Sequence, residues 1–291
     1  MCQFCTEHGE GKKWYLQMKN YSDILLHEDL PPERKKISGV DTRYKWRQLF
    51  IEDFVIPAVG GISIKREEEQ EEQSSVESRS TDLSEDEIMT RRMLGRFGQV
   101  LPIEDVESVI DIADSITRVP CGCRYITTGK TDKRYCFGIG VDIAGILGKY
   151  PDASSSLEVL EKAEAKKLFR SYDEEGLIHS IWTDITPLVG GLCNCDRDCL
   201  NYDDYIFKGG YPRFLRSEYI CEVDYDLCNG CKACMMQCQF GAQFYSSTLG
   251  KVHIDPGRCF GCGLCRAACQ DDAIKLVPRE ANPVSANLWL R

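Results

Sequence analysis

The run CNGCKACMMQC at residues 228–238 recurs as CFGCGLCRAAC at residues 259–269. Cys228, Cys231, Cys234 and Cys238 are matched 31 positions later by Cys259, Cys262, Cys265 and Cys269, and Gly230 and Ala242 return as Gly261 and Ala273. The chain therefore contains a duplication whose repeated feature is C-x2-C-x2-C-x3-C. A cube of iron and sulfide needs four thiolates that converge on separate irons. Three close-set cysteines wrap one cube, and the fourth points away toward the other. The spacing predicts one 4Fe-4S cluster on Cys228, Cys231, Cys234 and Cys269, and a second on Cys259, Cys262, Cys265 and Cys238. Zinc also accepts four thiolates, but its sites usually come as two C-x2-C halves, not as three-plus-one runs in tandem.

Short alternating segments flank the two runs. Residues 219–223, 242–245, 251–254 and 273–277 read as strands, with Leu249-Gly250 as a turn. On these cysteines and strands, residues 217–280 resemble the bacterial-type two-cluster ferredoxin, which implies two antiparallel hairpins and helical turns around two 4Fe-4S centres. That family usually has proline after the fourth cysteine of each run, whereas Gln239 and Gln270 stand there in this chain. Glutamine keeps its backbone N–H, and an N–H aimed at a cluster sulfur stabilises the more negative reduced state. With Lys232, Arg258 and Arg266 nearby, the sequence predicts potentials above those of a proline-containing counterpart.

The chain has 17 cysteines in 291 residues. No basic-then-apolar export pattern opens it, and a reducing compartment does not keep that many thiols as disulfides, so metal or redox chemistry is expected. Upstream of the duplication lie Cys121-Gly122-Cys123-Arg124, Cys136, and Cys193-Asn194-Cys195 with Cys199. Neighbouring glycines suggest flexible ligand loops. A further iron–sulfur cluster is expected here, on Cys193, Cys195 and Cys199 with Cys121 or Cys123; Cys136 is a possible metal ligand. Zinc or plain core packing are the alternatives. Two thiols spaced C-x-C do not easily face one small cube, so some of the six are expected to act otherwise. His179, just past a helix, reads as hydrogen-bonded structure, with ligation as the sharper alternative.

At the N-terminus, Cys2, Cys5 and His8 form C-x2-C-x2-H ahead of GEGKKWYL. Haem attachment needs histidine directly after the second cysteine, and Thr6 is there instead. Two thiols and an imidazole make a partial site for zinc or for a cluster completed from afar, with Cys221 a candidate. The CxxCxxHGEGKKWYL start, the CxCR motif, the GL-V/I-H helix end and the CNCxxxC motif resemble multi-cluster iron–sulfur proteins of anaerobes, in which such an upstream half precedes a ferredoxin dicluster. Gly9-x-Gly11-Lys12 falls short of a phosphate loop, and Gly138-Ile139-Gly140 of a dinucleotide fingerprint.

The formal net charge is −10, but residues 65–88 hold ten acids against three bases and so account for −7 of it. Residues 65–87 read as a solvated linker between residues 1–64 and 88–205, with a dicluster domain and tail over 206–291. No basic run suggests nucleic acid, and no window reaches the roughly 18 apolar residues of a membrane span, so a cytoplasmic protein is expected. Helices are predicted from Ser84 through Phe97, over 102–117 and over 157–175. Tyr44-Lys45-Trp46-Arg47 and Leu288-Trp289-Leu290 read as core filling or as a redox-partner interface. The expected class is α+β: a mostly helical N-terminal and middle region with metal-binding loops, then a small ferredoxin-like domain. No catalytic residue is expected. The predicted function is single-electron transfer between redox proteins or oxidoreductase subunits in anaerobic metabolism. The rivals are a reductase or reactivating enzyme with an open-coordinate upstream cluster, and a scaffold in which the clusters are structural pegs.

Overall fold

The computed structural model describes residues 1–22, 24–30, 32, 35–36, 39–50, 97–128, 134–140, 157–183, 186–199 and 214–289. The predicted linker and the start of the helix expected from Ser84 lie outside the described residues. Phe97 is described, and it enters a strand, β1 (Gly98–Val100), not a helix.

The middle region is built on a sheet, which corrects the expectation of a mostly helical one. Its strands are β1, β2 (Ile116–Val119), β3 (Cys136–Ile139), β4 (Glu158–Val159), β5 (Ile178–Thr183), β6 (Val189–Cys195) and β7 (Phe214–Leu215), arranged β4-β2-β3-β6-β5-β1-β7. All described pairings are antiparallel except β1 with β7. The helix predicted over 102–117 stops at Ile112, because Ala113 is extended and Ile116 pairs with Ile139 across β2 and β3. The helix predicted over 157–175 starts late for the same reason. Glu158–Val159 pairs with β2, and the Leu160 N–H donates to the Ile116 carbonyl at 2.9 Å before the helix begins at Lys162.

The two-residue period of a strand sorts the side chains into two layers. On one face Phe137, Ile139, Ile181, Val189 and Leu192 pack with Val106, Val109 and Ile110 of helix Ile103–Ile112 and with Ala165, Phe169 and Tyr172 of helix Lys162–Glu174. On the other, Val100, Ile178, Trp182 and Cys195 pack with Phe260 and Leu264 of the C-terminal module. The sheet is thus covered on both sides, and every residue of β5 is buried.

The N-terminal segment is part of this body. Phe4 stacks on Phe97 with ring centroids 4.0 Å apart, Trp14 donates its indole N–H to Gln99 Oε1 at 2.6 Å, and the Tyr15 hydroxyl donates to Asp105 at 2.8 Å. Tyr44 lies on helix Arg43–Phe50 and stacks on His27 at 5.7 Å, while Trp289 packs against the main core.

The C-terminal module follows the sequence reading closely. β8 (Tyr219–Val223) pairs with β11 (Ile274–Pro278), and β9 (Gln243–Ser246) with β10 (Lys251–Ile254), both antiparallel. One-turn helices Ala233–Gln237 and Leu264–Ala267 follow the two cysteine loops.

Candidate metal centres

Each half of the duplication encloses a cavity. The first, with about 320 Å³ of atom-free space, is lined by Cys228, Cys231 and Cys234 and by Cys269 from the other half. The second, also about 320 Å³, is lined by Cys259, Cys262 and Cys265 together with Cys238. Three thiols from a loop and a fourth from the opposite run face a common space in both, which is the arrangement a cube requires. These donors fit two 4Fe-4S clusters.

The loops close because glycine sits where no other residue fits. Gly230 and Gly261 have φ of +74° and +73°, and a Cβ on either would stand 2.0 Å from a carbonyl oxygen, that of Gly250 or of Tyr219. Backbone N–H groups then point at the fourth thiols: Ala242 donates to Cys238 Sγ and Ala273 to Cys269 Sγ, each at 3.3 Å. The amides of Phe240 and Gly241 also donate to Cys238. These donors lie two to four residues past each fourth cysteine, so a proline in place of Gln239 or Gln270 leaves them intact. Gln239 spends its side chain elsewhere, donating to the Gly176 carbonyl at 2.5 Å.

Buried cations brace the second cavity. Arg216 and Arg279 both donate to the Cys259 carbonyl, at 3.2 and 3.0 Å, and Arg279 also donates to the carbonyls of Ser217 and Tyr219. Burial pulls both guanidinium pKa values down to about 10, which still leaves them charged at neutral pH. Cys221 belongs to this second cavity too. Its thiol hydrogen-bonds with Cys259 and Cys265, and the group that meets Cys2 and Cys5 is not this candidate but Glu218.

Of the six upstream thiols, Cys136 stands on β3, Cys193 and Cys195 on β6 and Cys123 on helix Gly122–Thr128, with Cys121 just ahead of that helix and Cys199 in the turn after β6. Cys136 of β3 donates to Cys121 Sγ at 3.5 Å and hydrogen-bonds with Cys193, its cross-strand partner on β6. Cys199 donates to Cys195 Sγ at 3.5 Å and hydrogen-bonds with Cys123. The C-x-C pairs are therefore divided between two groups of three. Cys193 and Cys195 share one strand face but sit one step apart, which is the period-two spacing that a loop reading misses. No three of these six bring their sulfurs within 4.8 Å of one another, so their spread suits a polynuclear centre better than a single ion. The second group packs in one apolar cluster with Phe240, Phe260, Leu264 and Cys262 of the dicluster module.

Arg124 holds this region together. It is 3% exposed, pairs with Asp196 at 2.9 Å, donates twice to the Asn194 carbonyl at 3.3 Å and reaches Cys121 Sγ at 3.6 Å. Burial works against its charge, but Asp196 and Cys121 more than offset that and raise its pKa. In return, the hydrogen bond from Cys136, opposed by burial and helped by the Tyr135 N–H at 2.9 Å and by Arg124, lowers Cys121 to about 6. His179 faces the helical layer, with Nδ1 2.6 Å from Asn194 Oδ1 and Nε2 3.4 Å from Asp173 Oδ1.

Cys2 and Cys5 meet at the N-terminus with their sulfurs 3.3 Å apart, and the third group beside them is Glu218, not His8. Cys2 is the N-cap of helix Gln3–His8 and His8 its last residue, so the two stand at opposite ends of the helix. His8 instead stacks on Phe4 and lies 3.9 Å from Glu7. Sequence reading missed both Glu218 and the bracing part played by Arg124. Arg124 had a local signal, its place in the CGCR motif; Glu218 had none, being 213 residues from Cys5.

Comparison with known proteins agrees with the cavities. A family model for a 4Fe-4S dicluster domain matches residues 227–273. The chain is 37% identical over 62 residues to an archaeal-type glutamate synthase [NADPH] of Thermotoga maritima, and equally to that of Thermotoga sp. strain RQ2; each match covers 21% of this chain. It is 26% identical over 86 residues, 30% of its length, to an archaeal glutamate synthase [NADPH] of Archaeoglobus fulgidus. The matches span only 12% of the Thermotoga proteins and 17% of the Archaeoglobus one. No solved structure matches the chain. The C-terminal part is a ferredoxin-like iron–sulfur module, and among the described residues no helix is long and apolar enough to cross a membrane.

Proposed function

We propose that the chain relays single electrons between redox partner proteins, as an iron–sulfur subunit of a cytoplasmic oxidoreductase system in anaerobic metabolism. The observation that carries this reading is the pair of adjoining cavities whose fourth thiols are exchanged between the halves, so that each centre is built from both. Bound there, 4Fe-4S clusters supply one-electron chemistry; the protein's share is to position and insulate them.

The two ends of the module differ, and this gives the relay an outer and an inner end. Around the first cavity Cys231 is exposed, as are Leu227, Met236 and Leu249. Lys232 lies over the Tyr245 ring, with Nζ 3.9 Å from its centroid. A redox partner docks at this end. The second cavity is turned inward, where Cys262 and Phe260 pack with Cys123, Cys193, Cys195 and Cys199. A further iron–sulfur cluster on the upstream thiols then exchanges electrons with the second cluster across Phe240 and Phe260, whose rings stack 4.1 Å apart. No chemistry beyond electron movement is assigned to the chain.

The test is iron, acid-labile sulfide and zinc per chain on protein purified without oxygen, followed by a redox titration monitored by electron paramagnetic resonance. Two clusters give about eight irons with matching sulfide, and a third raises this to about twelve. Reversible reduction with about twelve irons is the expected result. Clusters that cannot be reduced reversibly at biologically accessible potentials overturn the relay and leave them as structural pegs.

A second reading rests on the upstream thiols falling into two groups of three, which leaves a cluster held by either group one ligand short. The site then reduces a small molecule or reactivates a partner cofactor. Small anions that perturb the upstream spectrum and leave the dicluster signals unchanged favour this enzyme reading over a pure relay.

A further inference from the structure

Among the described residues one group of three metal-ligating side chains converges on a single point: Cys2, Cys5 and Glu218, with their donor atoms all within 4.8 Å of one another. The sulfurs are 3.3 Å apart, and Cys5 Sγ lies 3.1 Å from Glu218 Oε1. A tetrahedral zinc with Zn–S about 2.3 Å and Zn–O about 2.0–2.2 Å holds its donors about 3.5–3.8 Å apart, so an entering ion spreads these groups by only about half an ångström. The upstream six thiols do not converge in this way, and the dicluster thiols face far larger spaces.

We propose that Cys2, Cys5 and Glu218 hold one zinc ion that staples the N-terminal helix to the start of strand β8 in the dicluster module. The donor set is the reason for zinc: two soft thiolates and one carboxylate suit a borderline metal with no redox role. The site is closed, with Cys2, Cys5 and Glu218 at 1%, 0% and 8% exposure. Its surroundings already orient the donors. The Cys2 N–H and Gln99 Nε2 both donate to Glu218 Oε1, at 3.3 and 3.4 Å, and the Trp14 N–H donates to Cys5 Sγ at 3.4 Å. On binding, both thiol protons leave to solvent and two Zn–S bonds and one Zn–O bond form; the fourth position falls to a water or to the second carboxylate oxygen. The mechanical consequence follows from the chain path. Glu218 lies next to Tyr219 of β8 and its carbonyl accepts the Arg279 N–H at 2.9 Å, so the ion ties helix Gln3–His8 to the strand pair that walls the second cavity.

The experiment uses the full chain, purified without oxygen, with zinc K-edge X-ray absorption and elemental analysis. One zinc per chain is expected, with two sulfur and two oxygen or nitrogen scatterers and no matching sulfide. The double variant Cys2→Ser/Cys5→Ser loses that zinc while iron and sulfide stay at the wild-type level, and Glu218→Gln weakens zinc at least tenfold in competition with a chelator. Hydrogen exchange over residues 1–16 rises in both variants. Wild-type protein without zinc overturns the proposal, as does a four-sulfur shell, which places the ion among other cysteines, or a Cys2–Cys5 disulfide. Zinc retained by the double variant overturns it equally. Because the absorption measurement is made on the wild type, it decides the matter even if a variant fails to fold.

Discussion

At the scale of single residues, a few side chains carry far more than their share. Arg124 is a buried cation whose partners, Asp196 and the Asn194 carbonyl, sit on the strand that presents Cys193 and Cys195. Replacing it by methionine leaves the buried Asn194 carbonyl without its donors, while the charge of Asp196, a third exposed, is screened by water, so Arg124→Met is expected to cost about 1–3 kcal/mol in chemical denaturation and to lower upstream iron content. The glycines divide sharply. Gly261→Ala drives a Cβ to within 2.0 Å of the Tyr219 carbonyl, and the cysteine loop must open; iron analysis should show the loss of about one cluster. Gly241 has a φ of +63° but nothing within 4 Å of its missing Cβ, so Gly241→Ala should cost only about 1 kcal/mol of strain and keep its iron. That the eight dicluster cysteines face two shared spaces was legible in the sequence, because local spacing brings them there. The place of Glu218 beside Cys2 and Cys5 was not, because a group brought in from 213 residues away leaves no pattern near them.

At the scale of elements, the ferredoxin-like strands fell where alternation put them, but the middle strands were hidden inside helical patterns. Ile116 lies on the same helical stripe as Val109 and Ile110, and only its pairing with Ile139 shows that the chain has already left the helix. Periodicity over a few residues cannot separate a helix end from a two- to four-residue strand; sheet partners settle it. The contact between the sheet and the dicluster module offers a contrast between packing and charge. Phe260 stacks on Phe240 and lies under Arg216, whose guanidinium is 4.4 Å from the ring centroid. Phe260→Ala is expected to lower stability by about 3–5 kcal/mol in thermal unfolding. Between the module and helix Ile103–Ile112, Arg266 and Glu104 pair at 2.6 Å, but Glu104 is exposed, so Glu104→Gln should change stability by less than about 1 kcal/mol, and less still in high salt.

At the scale of the whole molecule, the sheet sits between a helical layer and the dicluster module, with Cys123, Cys193, Cys195 and Cys199 packed at the module side. If those thiols hold a cluster, Cys193→Ser/Cys195→Ser should bring iron down to about eight per chain with matching sulfide, while the dicluster signals in electron paramagnetic resonance persist. The separation of the two sets of thiols could be read in outline from the grouping of cysteines along the chain. The covering of one group by the other could not, since it depends on Phe260, Leu264 and Trp182 meeting across the fold.

The duplication makes the two halves of the module near-copies, but the fold places them in unequal circumstances. The half around Cys231 opens to solvent, and the half around Cys259 and Cys262 is shielded by the sheet. With clusters bound in both cavities, oxygen or peroxide is expected to reach the outer centre first, and losing it would cut the inner one off from the surface, as a blown fuse does a circuit.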